Sequence, residues 1–159
     1  MILIKKFKII YFISGLLFFI LSCTSDFVFE KKTEILNGIW NKNNVISFNA
    51  TINDTISLHN IYLFINNSDS YNFCNLYLFI SVTSPSRGYL KDTSEFVLMD
   101  KRGKWYGKKS ENGFLNKILY KKNVIFPRAG NYSFKIEQAM RTDNVNINSV
   151  GLAIEKSKN

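Results

Sequence analysis

The fold class is decided by Val45-Ile46-Ser47-Phe48-Asn49-Ala50-Thr51-Ile52, a stretch in which apolar and polar side chains alternate. Successive side chains of a β-strand point to opposite faces, so the apolar residues from Ile46 to Ile52 share one face and the polar residues share the other. This period of two predicts a strand with one buried and one solvated face.

Other stretches that read as strands follow along the chain, and turn-forming residues separate them. Ser84-Pro85-Ser86-Arg87-Gly88 is one such turn, because proline fixes φ and glycine accepts a positive φ. Beyond residue 23 the apolar pattern predicts no helix longer than about one turn, near 114–119. Strands are predicted at about 45–52, 57–66, 73–83, 89–98, 121–126, 132–139 and 150–155. About seven short strands predict an all-β fold, an antiparallel β-sandwich.

One local motif bears on the topology of this sandwich. Gly130-Asn131-Tyr132-Ser133-Phe134 begins a late strand with a glycine two residues before a tyrosine and an apolar residue two after it. This resembles the tyrosine corner, in which the phenol bonds back to upstream backbone, and it favours an immunoglobulin-like sandwich. A jelly roll uses the same turn chemistry and is the alternative topology.

The composition limits the classes of function. Of the 159 residues, 46% are apolar and 21% are charged, and the net charge is +9. These values fit one globular domain and exclude a disordered chain or a protein with several membrane spans. A catalytic set of the Ser-His-Asp kind would depend on His59, the one histidine, and a site with several histidine ligands cannot form. We therefore expect no enzyme, no cofactor and no metal.

The N-terminal residues predict a secreted, lipid-anchored protein. Three lysines at positions 5, 6 and 8 precede an apolar run over 9–21, which is too short to span a bilayer as a helix and is typical of a signal peptide. Ile20-Leu21-Ser22-Cys23 resembles the lipobox of bacterial lipoproteins, in which the thiol takes the lipid. Residues 1–22 are thus predicted to be a lipoprotein signal peptide, and Cys23 the lipidated first residue, carrying two or three acyl chains of the palmitate type that hold it on a membrane.

The expected domain organisation follows from this cleavage. Residues 23–38 are predicted to be the lipidated N-terminus and a tether of up to roughly 50 Å, although Phe27-Val28-Phe29 could instead pair as an edge strand. Residues 39–159 are predicted to form the sandwich. After lipidation of Cys23 the remaining thiol is Cys74, which is expected to be buried and inert at the start of a strand.

Few motifs could carry chemistry. Basic residues at 101, 102, 104, 108 and 109 surround Trp105 and Tyr106, a pattern that can hold nucleic acid, but in an envelope protein it fits a solvated turn, an anionic partner or lipid headgroups better. Asp92 and Glu95 are predicted to be solvated strand residues rather than a catalytic pair. Asp54-Thr55-Ile56 resembles the acceptor for bacterial O-glycosylation at Thr55.

Five further motifs occur in a fixed order along the chain, behind the lipobox. They are Leu90-Lys91-Asp92-Thr93, Gly103-x-Trp105-x-Gly107, Asn123-Val124-Ile125-Phe126-Pro127, Gly130-Asn131-Tyr132 and Ile136-Glu137-Gln138-Ala139-Met140-Arg141. In this order the chain resembles the GldH family of gliding motility lipoproteins of the Bacteroidota. The resemblance implies a lipoprotein of the outer membrane that is needed for gliding and supports type IX secretion, without catalytic activity. The absence of an acidic stretch after Cys23 favours the periplasmic face over the cell surface.

A tethered sandwich of this kind is expected to act by binding other envelope proteins of gliding and secretion, with neither nucleic acid nor a small-molecule substrate as partner. The candidate interface residues are Trp105, as an aromatic anchor, and the polar residues Glu137, Gln138 and Arg141 at a strand end. Two alternatives remain open. One is a carbohydrate-binding lipoprotein that uses Trp105, Tyr106 and Tyr89, and the other is a hydrolase whose site the sequence does not reveal.

Overall fold

A computed structural model describes residues 27–158, which form ten β-strands and one short 3₁₀ turn at Leu36–Gly38. The strands are β1 (Phe27–Glu34), β2 (Ile39–Asn41), β3 (Ile46–Ile52), β4 (His59–Ser68), β5 (Asn75–Thr83), β6 (Tyr89–Val97), β7 (Lys108–Ser110), β8 (Gly113–Val124), β9 (Gly130–Gln138) and β10 (Asn144–Lys156). They make two antiparallel sheets, so the predicted β-sandwich is confirmed. Within residues 27–158 no helix is long and apolar enough to cross a membrane.

The strand order is that of a jelly roll. The first sheet has the order β1-β10-β4-β8-β7, with β2 paired to β10, and the second has the order β3-β9-β5-β6. When the short strands β2 and β7 are set aside, eight strands remain, and they pair from the outside inwards along the chain. β1 pairs with β10, β3 with β9, β4 with β8 and β5 with β6. Such nested pairing is a long two-stranded ribbon wrapped into two sheets. The alternative topology is therefore the observed one, and the immunoglobulin-like topology is wrong.

The tyrosine corner that suggested the wrong topology is nevertheless present. The Tyr132 hydroxyl donates a hydrogen bond to the backbone carbonyl of Arg128, at 2.9 Å, and the ring lies edge-on to Phe126. Phe134, two residues after the tyrosine, is fully buried. The motif fixes one turn between the two sheets, and a turn of this kind does not specify which strands pair.

The core lies between the sheets and follows the predicted alternation. In β3 the four apolar residues from Ile46 to Ile52 are buried and the polar residues between them are exposed. Trp40 of β2 is fully buried, and its indole N–H donates to the carbonyl of Asn44 at 2.8 Å. A continuous apolar cluster from both sheets thus supplies most of the stabilising burial.

Three local expectations are corrected. Residues 27–34 form β1, which pairs along its length with β10. This part of the predicted tether is therefore an edge strand, which was the alternative left open for Phe27-Val28-Phe29. Residues 114–119 continue β8 and form no helical turn. Cys74 lies exposed in the turn before β5, so its predicted burial is wrong; its backbone carbonyl accepts hydrogen bonds from the N–H groups of Leu98 and Met99.

The sandwich has two ends with different loops. The N-terminal end holds Phe27, the segments 53–58, 84–88 and 125–129, and the C-terminal residues after β10; Phe27 pairs with Glu155 there. The distal end holds the segments 35–45, 69–74, 98–112 and 139–143. Two segments of the N-terminal end, 53–58 and 125–129, each pass from one sheet to the other.

Candidate interaction surface at the distal end

Trp105 is held on the distal end by the loop between β6 and β7. The Asp100 carboxylate accepts hydrogen bonds from the backbone N–H groups of Arg102 and Lys104, at 2.8 and 2.9 Å, and this closes a tight turn. The turn brings Trp105 back beside Met99, with which it forms an isolated bridge. The position of the indole therefore follows from an Asp-led turn that the sequence specifies locally.

The Trp105 side chain is half-buried against other aromatic rings. It stacks on Phe114, with ring centroids 5.3 Å apart, and lies 6.3 Å from Tyr71. Tyr71 in turn meets Phe73 edge-on at 5.6 Å. These four rings form a row across the distal end, which we call the aromatic row, and Trp105 is as much a part of the framework as of the surface.

A groove adjoins the aromatic row at Phe73. It has a volume of about 570 Å³ and is lined by Phe73, Tyr77, Ala139, Met140, Arg141 and Thr142. Arg141 is exposed, and Phe73 and Tyr77 are each 38% exposed. The groove thus combines apolar rings, a methionine side chain and a cationic group.

Glu95 lies beside this groove, opposite the lining residue Tyr77 in the pairing of β5 with β6. Its carboxylate accepts from the Asn75 side chain at 2.6 Å, and hydrogen bonds from Asn75 and then Tyr77 hold the pKa of Glu95 below its ordinary value. The hydrogen bond to Glu95 is the main cause that raises the pKa of Tyr77, and the positive charge of Arg141 opposes that rise. Tyr77 therefore stands between a carboxylate and a guanidinium.

Glu137 and Gln138 have different positions although they are neighbours in β9. Glu137 is half-buried on the outer face of the second sheet, where its carboxylate forms an ion pair with Lys91 at 3.3 Å. Gln138 is buried, so its expected place on an exposed surface is wrong. Its amide donates to the carbonyls of Thr142 and Asp143 and its oxygen accepts from Met140 N–H. Gln138 therefore shapes the segment that presents Arg141.

The structure separates the residues of the carbohydrate-binding alternative. Trp105 and Tyr106 lie at the distal end, whereas Tyr89 lies at the start of β6 at the N-terminal end. Tyr106 is 64% exposed, but the face of Trp105 is covered by Phe114. A shared stacking platform of these three rings does not form.

The catalytic candidates are also dispersed. Asp92 bonds to Lys121 at 2.8 Å, Glu95 bonds to Asn75, and an odd separation in β6 puts the two carboxylates on opposite faces. His59 is fully buried edge-on to Phe126, and in residues 27–158 neither of its ring nitrogens has a hydrogen-bond partner. Across those residues no three side chains of the metal-ligating kind come together. In the described part of the chain these candidates therefore do not come together as a catalytic set.

Sequence reasoning missed the apolar half of the groove. Phe73 and Tyr77 fall within the predicted strand at 73–83, and Met140 was noted only as part of a family motif, because the alternation does not show that a turn exposes these side chains. The available signal was the aromatic cluster Tyr71-Asn72-Phe73 directly before a strand. Cys23 and the signal peptide lie outside the described residues, so their assignments stay predictions.

Comparison with known proteins agrees with the resemblance found in the sequence. The model of a family described as GldH lipoprotein matches residues 27–154. A gliding motility lipoprotein GldH homolog of Christiangramia forsetii is 29% identical over 163 residues, which cover 98% of this chain and 99% of that protein. The gliding motility lipoprotein GldH of Flavobacterium johnsoniae is 30% identical over 125 residues, which cover 76% of this chain and 74% of that protein.

Proposed function

The chain belongs to the GldH lipoprotein family, and on that ground we propose that it is an outer-membrane lipoprotein required for gliding motility and for type IX secretion. A lipid anchors it to a membrane, and we assign the anchor to Cys23 and the periplasmic face to the domain. It acts without catalysis, as an interaction module that holds other envelope proteins of gliding and secretion.

The observation that carries the interaction role is the groove beside the aromatic row. A protein interface typically centres on aromatic and arginine side chains in a partly desolvated pocket, with polar groups around it. Phe73, Tyr77 and Arg141 supply this combination on one side of the distal end. A partner segment with an apolar side chain next to a carboxylate fits the groove, because the carboxylate can pair with the Arg141 guanidinium.

Glu137 and Trp105 lie outside the lining of the groove, Glu137 on the outer face of the second sheet and Trp105 in the aromatic row. The Lys91–Glu137 pair is partly exposed, with 42% and 28% of the two side chains accessible, so it contributes at most about 1 kcal/mol to stability. Reversal of Glu137 should therefore leave the fold intact. Trp105 is different, because its stacking on Phe114 makes any truncation a change of both surface and framework.

The test is complementation of a strain that lacks the chain. Reversal of both charges, Glu137→Lys with Arg141→Glu, should abolish gliding of single cells and lower the secreted amount of type IX cargo at unchanged chain abundance. Arg102→Glu is the matched control, since Arg102 is an exposed distal-end cation outside the groove, and it should restore gliding. Normal gliding of the doubly reversed variant would refute this surface as the interface.

Crosslinking in intact envelopes gives the second readout. The lipidated chain should retain specific envelope proteins after affinity purification, and the doubly reversed variant should lose them. Cys23→Ala reports on the anchor, because it should release the chain from the membrane. Retention of the membrane location by that variant would refute the assignment of the anchor to Cys23.

A further inference from the structure

The chain enters the fold very close to the proposed anchor. Phe27, the first residue of β1, follows Cys23 by four positions, and four residues span at most about 14 Å when extended. The pairing of Phe27 with Glu155 fixes this point at the N-terminal end of the sandwich. That end must then lie beside the bilayer that holds the lipid.

The loops of the N-terminal end form one connected surface. Ser157 N–H donates to the carbonyl of Leu58 at 2.8 Å, and the Ser157 hydroxyl donates to Asn123 at 2.8 Å. Lys156 pairs with the carboxylate of Asp54, which also accepts from two backbone N–H groups of its own turn. The C-terminal residues thus join the loop at 53–58 to the end of β8.

The charges of this surface have one prevailing sign. The segments 53–58, 84–88, 125–129 and 157–158 carry three basic residues and one acidic residue, Asp54, which is already paired with Lys156. Lys122 is exposed close to the same end of β8. The distal end also carries an excess of basic residues but mixes them with more acidic ones. The segments 35–45, 69–74, 98–112 and 139–143 hold seven basic and four acidic residues. A surface with a net positive charge is attracted to anionic headgroups.

Apolar side chains stand out among these basic residues. Ile56 is 88% exposed at the tip of its loop, and Ile125 is 54% exposed in the segment that passes between the sheets. Tyr89 and Leu90 are also exposed, and they border an apolar cleft of about 480 Å³ between β6 and β8. Exposed apolar side chains amid basic ones are the composition of a surface that lies in a membrane interface.

We propose that the N-terminal end is a membrane-docking surface, occupied by the bilayer that carries the chain's own lipid anchor. Ile56, Ile125 and the rim of the cleft enter the headgroup region, and Lys122 and Arg128 contact anionic phosphates. Docking holds the long axis of the strands upright on the bilayer and points the aromatic row and its groove away from it. This inference rests on the proposed anchor at Cys23.

Depth measurements on the lipidated chain test the docking. Nitroxide labels are placed on Ile56→Cys, Ile125→Cys and Leu36→Cys in a Cys74→Ser background, because the thiol of Cys23 is consumed by the lipid. Leu36 is the matched control, since it is 84% exposed and apolar but lies at the distal end. The chain is reconstituted into vesicles of zwitterionic phospholipid containing anionic phosphatidylglycerol, and the accessibility of each label to oxygen and to a water-soluble nickel complex is recorded.

Docking predicts that labels at 56 and 125 favour oxygen over nickel, whereas the label at 36 has the accessibility of a label in water. Lys122→Glu with Arg128→Glu should abolish the immersion at 56 and 125 while the chain still floats with the vesicles. Lys101→Glu with Arg102→Glu, an equal charge change at the distal end, should leave the immersion unchanged.

Two outcomes would overturn the proposal, and they are distinguishable. A chain that floats with vesicles but shows equal water accessibility at 56, 125 and 36 hangs freely from its anchor, and docking is then wrong while the anchor stands. A chain that does not float at all lacks the anchor, and both proposals are then wrong.

Discussion

Truncation of Phe29 in β1 measures whether the N-terminal strand belongs to the folded unit. Phe29 pairs with Ile154, is half-buried and packs on the core. Removal of a fully buried phenylalanine side chain costs 3–5 kcal/mol, so Phe29→Ala at half burial should cost about 2 kcal/mol. For a domain of this size that loss lowers the melting temperature by about 8 °C.

The assay is thermal unfolding of the lipidated chain in detergent, followed by far-ultraviolet circular dichroism. Glu30→Ala is the matched control, because Glu30 is exposed on the opposite face of the same strand, and its change should stay within about 0.5 kcal/mol. A Phe29→Ala variant that melts within 2 °C of the Glu30→Ala variant would refute the pairing as a stabilising contact. Residues 27–34 would then behave as the flexible tether that the sequence suggested.

Three further predictions concern the stability of the sandwich. Tyr132→Phe removes the hydrogen bond to the carbonyl of Arg128 and should lower the free energy of unfolding, measured by chemical denaturation, by about 1 kcal/mol. An unchanged denaturation midpoint would show that the tyrosine corner does not stabilise the fold. Burial raises the pKa of Tyr71 above its ordinary value of 10, so the contribution of Tyr71 to stability is complete below pH 10 and is lost as the pH rises further. The melting temperature of Tyr71→Phe should therefore fall less steeply between pH 9 and about 11.5 than that of the unchanged chain. An identical slope in the two proteins would contradict this prediction. Gly113→Ala should lower the free energy of unfolding by about 3 kcal/mol or more, because φ is +152° and a Cβ would clash with the backbone carbonyl of Asn67 in β4. Gly103→Ala, with φ +82° and open space around the Cβ, should lower it by only about 1 kcal/mol, and equal losses would refute the steric cause.

The strands that were found from the sequence are those with one clearly buried face. Alternation over 45–52 is reproduced by the burial of β3, and the predicted strand at 132–139 matches β9 closely. β8 was partly misread, because Leu115 and Leu119 lie exposed on its outer face while the polar Asn116 is buried on its inner face, so polarity does not alternate with burial over 114–119. β1 was left open, since an edge strand carries charged residues on both faces and gives a weak periodic signal.

The sequence by itself determined the all-β class, the resemblance to a lipoprotein family and the types of side chain available for binding. These properties depend on local patterns, because the period of side chains and the chemistry of a turn act over a few residues. The jelly-roll order, the burial of Gln138 and the gathering of basic and apolar residues at the N-terminal end were decided only by the tertiary structure. They depend on pairings such as β1 with β10, whose partners are far apart in the chain, and short-range periodicity contains no information about which buried face meets which.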